Sequence, residues 1–142
     1  MNNGRPRLSW EETALKLAFD IAKYRSEDPF VQCGAVIIKN DHSILLGYNG
    51  SPAGSNIDWS NRDRRRKRVL HAEQNVLDGV EYGEVKIFAV TALPCERCIL
   101  EIANKGIKTV YFSDFLENYD KNTTFELAKE FGIQLIRIEK DK

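Results

Sequence analysis

The sequence predicts an α/β fold, a three-layer α-β-α sandwich around a mixed sheet of about five strands. In the second half of the chain, short β-branched runs alternate with helical segments, which is typical of parallel strands covered by helices on both faces. In the first half, two apolar runs flank a short polar turn and predict an antiparallel hairpin. With 142 residues, 42% of them hydrophobic, the chain is predicted to form one domain over residues 1–142.

The first half of the chain supplies one helix and the hairpin. A helix is predicted at residues 9–24, because Ser9 and Glu12 form a capping box and apolar residues recur on one face. Residues 33–39 form a small and β-branched run that suits a buried strand, and residues 44–48 follow the turn as its partner. The sheet is therefore mixed.

The second half begins with a long insertion at about residues 49–69. This segment is rich in Gly, Ser, Asn and charge and is interrupted by Pro52, which predicts an irregular loop of the kind that usually carries function. The alternating elements after it are predicted as helix 70–78, strand 85–90, helix 95–105, strand 108–112, helix 123–131 and strand 133–138.

Charge and hydropathy exclude several classes of protein. Lys plus Arg (21) balance Asp plus Glu (21), so no global field favours nucleic acid or a membrane surface as the main partner. The apolar runs are far too short for a membrane span, and the polar N-terminus lacks the features of a secretory signal. We therefore expect a cytoplasmic protein without membrane association.

Two short motifs carry the chemistry. His71 and the pair Cys95 and Cys98 each fall where a helix is predicted to begin, which favours thiolate over thiol and directs both motifs to one crevice. One imidazole and two thiolates are three zinc ligands, and a zinc ion with three protein ligands keeps a fourth position for water. Glu73 is too close to His71 in sequence to share the metal but can reach that water as a proton shuttle.

These motifs also fit two kinds of site without a catalytic metal. A C-x-x-C pair suits redox chemistry in a thioredoxin-like context, and a histidine and two cysteines can belong to a closed structural zinc site. Cys33 and His42 are the remaining soft ligands, but each lies in or beside the hairpin. The pattern H-x-E followed by P-C-x-x-C is typical of zinc-dependent nucleobase deaminases and favours a catalytic zinc ion.

Residues 17–138 resemble deoxycytidylate deaminases, within the cytidine deaminase superfamily. The zinc motifs specify the superfamily, whereas two further segments narrow the resemblance: R-S-E-D-P and G-Y-N-G-S-P-A-G. The segments that carry the resemblance are residues 25–29, 32–37, 47–54, 71–75, 93–98 and 106–108. The resemblance implies a cytidine deaminase-like fold and hydrolytic deamination of dCMP to dUMP and ammonia, with one catalytic Zn²⁺ held by His71, Cys95 and Cys98 and with Glu73 moving the protons.

The resemblance also implies the substrate contacts. Arg25 and Ser26 would bind the 5′-phosphate, Asn49 would contact the sugar or the base, and Ala72 would hold the base edge through its backbone. Pro94 would shape the start of the ligand-bearing helix, and Tyr119 would stack on the base. From the residues alone, Asn49 followed by Gly is equally well explained as a tight turn.

Regulation and assembly follow from the same resemblance. It implies a hexamer with an allosteric nucleotide site, activated by dCTP and inhibited by dTTP, with Mg²⁺ accompanying the triphosphate. The residues of that site would be Tyr48, Asn49, Gly50, Gly54, Asp58 and Arg68. Some relatives carry a second, structural zinc ion in the insertion, but residues 49–69 of this chain contain neither Cys nor His.

A basic run at residues 62–68 is the strongest local charge feature, and it has three interpretations. It is a solvated face, a site for nucleotide phosphates, or a site for nucleic acid. A polynucleotide deaminase would use the same zinc chemistry, although the zero net charge counts against it. The zinc motifs also fit a deaminase of free nucleosides and a zinc-stabilised binding module without turnover.

Overall fold

The computed structural model describes residues 6–116 and 120–140. Tyr119, one of the predicted substrate contacts, lies outside the described residues. The elements, in chain order, are α1 (Trp10–Arg25), β1 (Gly34–Lys39), β2 (Ile44–Tyr48), α2 (Arg62–Arg68), α3 (Ala72–Leu77), β3 (Val85–Val90), α4 (Glu96–Asn104), β4 (Thr109–Phe112), α5 (Lys121–Glu130) and β5 (Gln134–Arg137).

The strands form one five-stranded mixed sheet. Its order is β2-β1-β3-β4-β5, with β1 antiparallel to both β2 and β3, and with β3, β4 and β5 parallel to one another. The predicted hairpin pairs Ala35 with Gly47 and Ile37 with Leu45. The fold class predicted from the sequence is confirmed.

Helix α1 covers one face of the sheet. Its buried Ala14 and Ala18 pack with Val36 and Ile38 of β1 and with Ala89 of β3. These strand residues alternate along the chain, as the two-residue period of a strand requires. The apolar stripe expected between residues 9 and 24 is therefore the surface that closes this layer.

Helices α3, α4 and α5 cover the opposite face. Ala35 and Ile37, which alternate with the residues under α1, share a buried cluster with Val76 of α3, Ile99 of α4 and Ala128 of α5. The sheet is thus enclosed between two helical layers, and α3 and α4 lie side by side on it. This places the two predicted metal-binding motifs next to each other.

The insertion is more ordered than the sequence predicts. Instead of an irregular loop, it contains helix α2, and its ends are joined where Gly50 and Leu70 exchange two backbone hydrogen bonds of 3.1 and 2.8 Å. Asn61 caps α2, because its side chain accepts a hydrogen bond from the backbone of Arg64. Arg and Lys are strong helix formers, and the basic last turn suits the negative end of the helix dipole.

Close packing of β2 against α3 depends on the absence of a side chain at Gly47. A Cβ atom there would lie 2.7 Å from the backbone oxygen of Ala72 and 2.8 Å from Cβ of Val76. We expect Gly47→Ala to lower the free energy of unfolding by about 1–3 kcal/mol, because α3 would have to move. Urea denaturation measures this loss. At Gly79 the nearest contact of an added Cβ is the flexible end of Leu45, at 3.1 Å, so Gly79→Ala is the milder control. Equal stability of Gly47→Ala and wild type would contradict the packing argument.

Among the residues that the structure describes, the helices are all too short or too polar to cross a membrane.

Candidate active site

Three side chains from the starts of two neighbouring helices converge. Nδ1 of His71 lies 3.4 Å from Sγ of Cys98 and 3.6 Å from Sγ of Cys95, and the two sulfur atoms are 3.4 Å apart. In a tetrahedral site with ordinary Zn–S and Zn–N bonds, such ligand atoms are separated by about 3.5–3.8 Å. The donor set and its spacing therefore fit a zinc ion bound by one nitrogen and two sulfur atoms.

Helix capping positions these ligands. His71 and Cys95 are the N-cap residues of α3 and α4, so both helices start one residue after a ligand rather than at it. The backbone N–H of His71 donates to Oε1 of Gln74 at 2.8 Å, which fixes the start of α3. Cys98 is three residues beyond Cys95 and returns to the same side of α4, where it is fully buried.

The two thiols are inequivalent in this cluster. Contacts with Cys98 and then His71 lower the pKa of Cys95 to about 4, whereas contact with Cys95 and burial raise the pKa of Cys98 far above its usual range. The contact with Cys95 also raises the pKa of His71. Thiolate is the form that binds zinc, so binding of the metal is accompanied by proton release from the Cys95–Cys98 pair.

Glu73 lies on the first turn of α3 and is 6% exposed. Burial raises the pKa of its carboxyl group to about 7. A carboxyl group whose pKa lies near neutrality can both accept and return a proton at physiological pH. This is the property that a proton shuttle requires.

The cluster opens into a cavity of about 400 Å³. His71, Glu73 and Cys95 line it together with Asn49 and Ala72, two of the predicted substrate contacts. The volume lies within the range of small-molecule sites in proteins. Cys33 also lines the cavity, but burial raises the pKa of its thiol to about 12, so it remains protonated and is not a fourth thiolate.

Asn49 has a structural role in the fold. From the sequence alone, a structural role in a turn and a contact with substrate explained this residue equally well. Its Oδ1 accepts hydrogen bonds from the hydroxyl of Ser26 and from the backbone of Cys33, and its Nδ2 donates to the carbonyl of Val31 at 2.7 Å. The amide thereby holds the segment after α1 against the end of β2. The carbonyl of Val31 takes one of the two N–H groups of Nδ2, and Asn49 also lines the cavity.

Arg25 does not line the cavity that Asn49 and Ala72 line. Arg25 is exposed, its guanidinium lies 5.7 Å from the ring centroid of Tyr48, and it lines a second cavity of about 400 Å³. Pro94 is buried next to Cys95, and its carbonyl accepts a hydrogen bond from the hydroxyl of Thr124 at 3.0 Å.

The residues predicted for nucleotide regulation are brought together only in part. Tyr48, Gly50 and Gly54 line the second cavity. Asp58 instead caps the turn at Ser60, accepting hydrogen bonds from its backbone and hydroxyl, and Arg68 donates to the carbonyl of Arg64. Asn49 lines the first cavity rather than the second.

Four arginines in the wall of the first cavity were not assigned to the active site by sequence reasoning: Arg62, Arg65, Arg66 and Arg97. The basic run was visible in the sequence, but its placement depends on how the insertion folds back. Arg97 stands between the two cysteines of the motif, and its position in the first turn of α4 is the signal that could have identified it.

The fold and the site together define an α/β protein with a candidate metal centre of one imidazole and two thiolates beside a buried carboxyl group. The family described as the cytidine and deoxycytidylate deaminase zinc-binding region matches residues 8–114. The chain belongs to this family.

Individual proteins that are similar to this chain are consistent with its membership of this family. A deoxycytidylate deaminase of Homo sapiens is 34% identical over an alignment of 132 positions that covers 84% of this chain and 74% of the relative. ComE operon protein 2 of Bacillus subtilis is 30% identical over an alignment of 146 positions that covers 96% of this chain and 75% of the relative. Among solved structures, the dCMP deaminase of cyanophage S-TIM5 in complex with dCMP and dUMP is similar, with a TM-score of 0.75 and 27% identity over 93% of this chain and 100% of that one.

Proposed function

We propose that this protein is a zinc-dependent dCMP deaminase, which hydrolyses dCMP to dUMP and ammonia. The observation that carries the proposal is the convergence of His71, Cys95 and Cys98 beside the buried Glu73 in one cavity. The human relative is named for the same activity, and the phage structure was solved with dCMP and dUMP bound.

His71 Nδ1 and the sulfur atoms of Cys95 and Cys98 would hold the ion. When bound, Zn²⁺ supplies a Lewis acid that brings the pKa of a water molecule close to neutrality. The buried position of Cys98 and the hydrogen bond that orients His71 keep the three donor atoms in place. Zinc thus fits both the donor set and its geometry.

Glu73 moves the protons of the reaction. Its carboxylate takes a proton from the attacking water and delivers it to N3 of cytosine, which makes C4 more electrophilic. As the C4–N4 bond breaks, the carboxylate of Glu73 takes the proton of the new C4 hydroxyl group and passes it to the departing amine, which leaves the C4 carbonyl of uracil. The balance is dCMP and water consumed, and dUMP and ammonia formed.

The substrate would be placed by side chains at the cavity wall. Ala72, whose backbone lies between His71 and Glu73, would hold the base edge, and the remaining N–H of Asn49 would donate to the sugar or the base. Ser26 would act through its bond to Asn49, and Pro94 by shaping the start of α4. Tyr119 is proposed to stack on the base. Arg25, which the family resemblance assigns to the phosphate, lines the second cavity instead.

Regulation and assembly are part of the same proposal. Activation by dCTP and inhibition by dTTP would act through Tyr48, Gly50 and Gly54 at the second cavity, with contributions from Asn49, Asp58 and Arg68. Mg²⁺ would accompany the triphosphate, and the assembly would be a hexamer. At Gly54 an added Cβ atom would meet nothing within 4 Å, which leaves room for a close approach of the triphosphate to the backbone.

Ammonia release from the zinc-loaded protein tests the proposal. The substrates are dCMP, deoxycytidine and a cytosine-containing oligonucleotide, each with and without dCTP and dTTP. Preference for dCMP, raised by dCTP and suppressed by dTTP, is the expected result. Turnover of the oligonucleotide alone would overturn the dCMP assignment. If neither dCTP nor dTTP changes the rate of dCMP deamination, the proposed allosteric regulation is wrong.

A further inference from the structure

The catalytic cavity has a strongly basic wall, which we call the arginine wall and define as Arg62, Arg65 and Arg66 of α2 together with Arg97 of α4. These residues line the same cavity as His71, Glu73 and Cys95, although more than twenty residues separate the two ends of the wall in sequence. A cluster of guanidinium groups in an active-site cavity is the chemistry that recognises phosphate oxygens.

Helix α2 is fixed in place by one of its own arginines. The guanidinium of Arg65 lies 4.4 Å from the ring centroid of Phe30, and its Nη1 donates to the carbonyl of Trp59 at 3.2 Å. Arg65 is only partly exposed, whereas Arg62 and Arg66 are exposed. Arg65 therefore anchors the helix, and this leaves Arg62 and Arg66 to meet a ligand.

Two acidic residues of the same cavity, Asp28 and Asp120, already accept hydrogen bonds from the protein. The carboxylate of Asp28 accepts hydrogen bonds from the backbone of Phe30 and Val31 at 2.7 and 3.2 Å. Asp120 accepts from the backbone of Asn122 at 3.0 Å and from the hydroxyl of Thr123 at 3.1 Å. Asp28 and Asp120 thus accept hydrogen bonds from the chain itself, and among the described residues neither forms an ion pair with the arginine wall.

The arginines at the cavity mouth, in contrast, carry uncompensated charge. Within residues 6–116 and 120–140, no ion pair is found for Arg62, Arg66 or Arg97. Glu96 is the remaining acidic residue of the cavity wall outside the catalytic cluster. Three free guanidinium groups against one free carboxylate make this side of the cavity attractive to an anion.

We propose that Arg62 and Arg66 bind the 5′-phosphate of the substrate and thereby select a mononucleotide over a nucleoside. The inference rests on the proposed deamination and moves the phosphate contact from Arg25, which lines the second cavity, to α2. Each residue can offer a planar pair of N–H donors to a phosphate dianion. Arg97, which lines the same cavity from α4, would add to the positive field.

The test compares kcat/KM for dCMP and for deoxycytidine in wild type and in the double variant Arg62→Ala/Arg66→Ala. Hydrogen bonds to charged groups are typically worth enough for about a 10- to 100-fold effect. We expect the dCMP-to-deoxycytidine ratio to fall by about 10- to 100-fold, mainly through a higher KM for dCMP, with little change for deoxycytidine. Alanine is a strong helix former, so α2 should persist.

The matched control removes two positive charges from the same helix but away from the cavity. Arg64 and Lys67 are exposed and do not line the cavity, so Arg64→Ala/Lys67→Ala should leave the ratio unchanged. Equal loss in the control would attribute the effect to net charge and overturn the proposal. A third variant, Arg25→Ala, should keep the wild-type ratio; if Arg25→Ala alone abolishes the preference for dCMP, the phosphate site lies at Arg25 and the proposal is wrong.

Binding measurements separate failure of this inference from failure of the proposed reaction. Calorimetric titration of Glu73→Gln with dCMP and with deoxycytidine reports phosphate recognition without turnover. Tighter binding of dCMP that depends on Arg62 and Arg66 supports the arginine wall, even if the wild-type protein releases no ammonia. Equal binding of both compounds overturns it, whatever the reaction. If the double variant loses only oligonucleotide binding, the wall serves nucleic acid and the proposal fails.

Discussion

Replacement of Glu73 by Gln is expected to abolish turnover while zinc stays bound. Gln fills the same space but cannot accept a proton from water, and loss of a general acid–base group typically costs about 10²- to 10⁴-fold in rate. Ammonia release and metal analysis on the same sample measure the two quantities. Glu130→Gln, which removes an exposed carboxylate of α5, is the control with wild-type activity. Substantial activity of Glu73→Gln would show that another group moves the protons.

Replacement of Glu73 by Gln should also change how the stability of the metal-free protein depends on pH. Burial raises the pKa of Glu73 to about 7 in the folded metal-free protein, against 4.5 as its ordinary value. The folded state therefore binds the proton more tightly, and the contribution of Glu73 to stability is present below pH 4.5 and is lost as the pH rises through 7. A shift of this size corresponds to about 3 kcal/mol. Urea denaturation of the metal-free protein at about pH 5 and about pH 8 measures the free energy of unfolding at each pH. Between these pH values, this free energy should fall less for Glu73→Gln than for wild type. An identical decline would contradict the burial argument.

Removal of a metal ligand is expected to have the second large effect. Cys98→Ala takes away a fully buried sulfur atom of the cluster, so bound zinc should fall from about one ion per chain to near zero, and activity with it. Zinc stabilises wild type by about 4 kcal/mol when its free concentration is about 1,000 times Kd, and this gain should vanish in the variant. Metal analysis and thermal unfolding with and without zinc measure both effects.

Two further variants provide a control and a second test of the proposed zinc ligands. Cys33→Ala removes the one cysteine among Cys33, Cys95 and Cys98 whose sulfur atom is outside the cluster, and this variant should retain one zinc ion per chain. Cys95→Ser tests a less buried ligand, in case Cys98→Ala does not fold. Retention of full zinc content by both Cys95→Ser and Cys98→Ala would rule out the proposed ligand set.

The fold was predictable where hydrophobic periodicity is strong. Strands at residues 44–48 and 85–90 have the predicted bounds, because each is a short, mainly apolar run that follows a polar turn. Helix α2 was missed because none of its residues is buried, so it has no apolar stripe for periodicity to detect. Its cap at Asn61 is the local signal that reveals it in retrospect.

The metal site was predictable for a different reason. Its three ligands lie at helix starts in two short motifs, so local spacing alone brings chemically specific side chains together once α3 and α4 are neighbours. The other contacts depend on long-range packing. Arg25 ends α1 on the side of the second cavity, and Arg62 and Arg66 reach the first cavity only because the insertion closes at Gly50 and Leu70. No short-range pattern encodes that closure.

The central claim is that water attacks the cytosine ring of dCMP at this site. The most direct measurement is incubation of zinc-loaded protein with dCMP in ¹⁸O-labelled water, followed by mass spectrometry of the nucleotide product and assay of ammonia. We expect dUMP carrying one labelled oxygen atom and an equal amount of ammonia, with neither formed by Glu73→Gln. Absence of dUMP from zinc-loaded wild-type protein, or dUMP formed without the label, would contradict it.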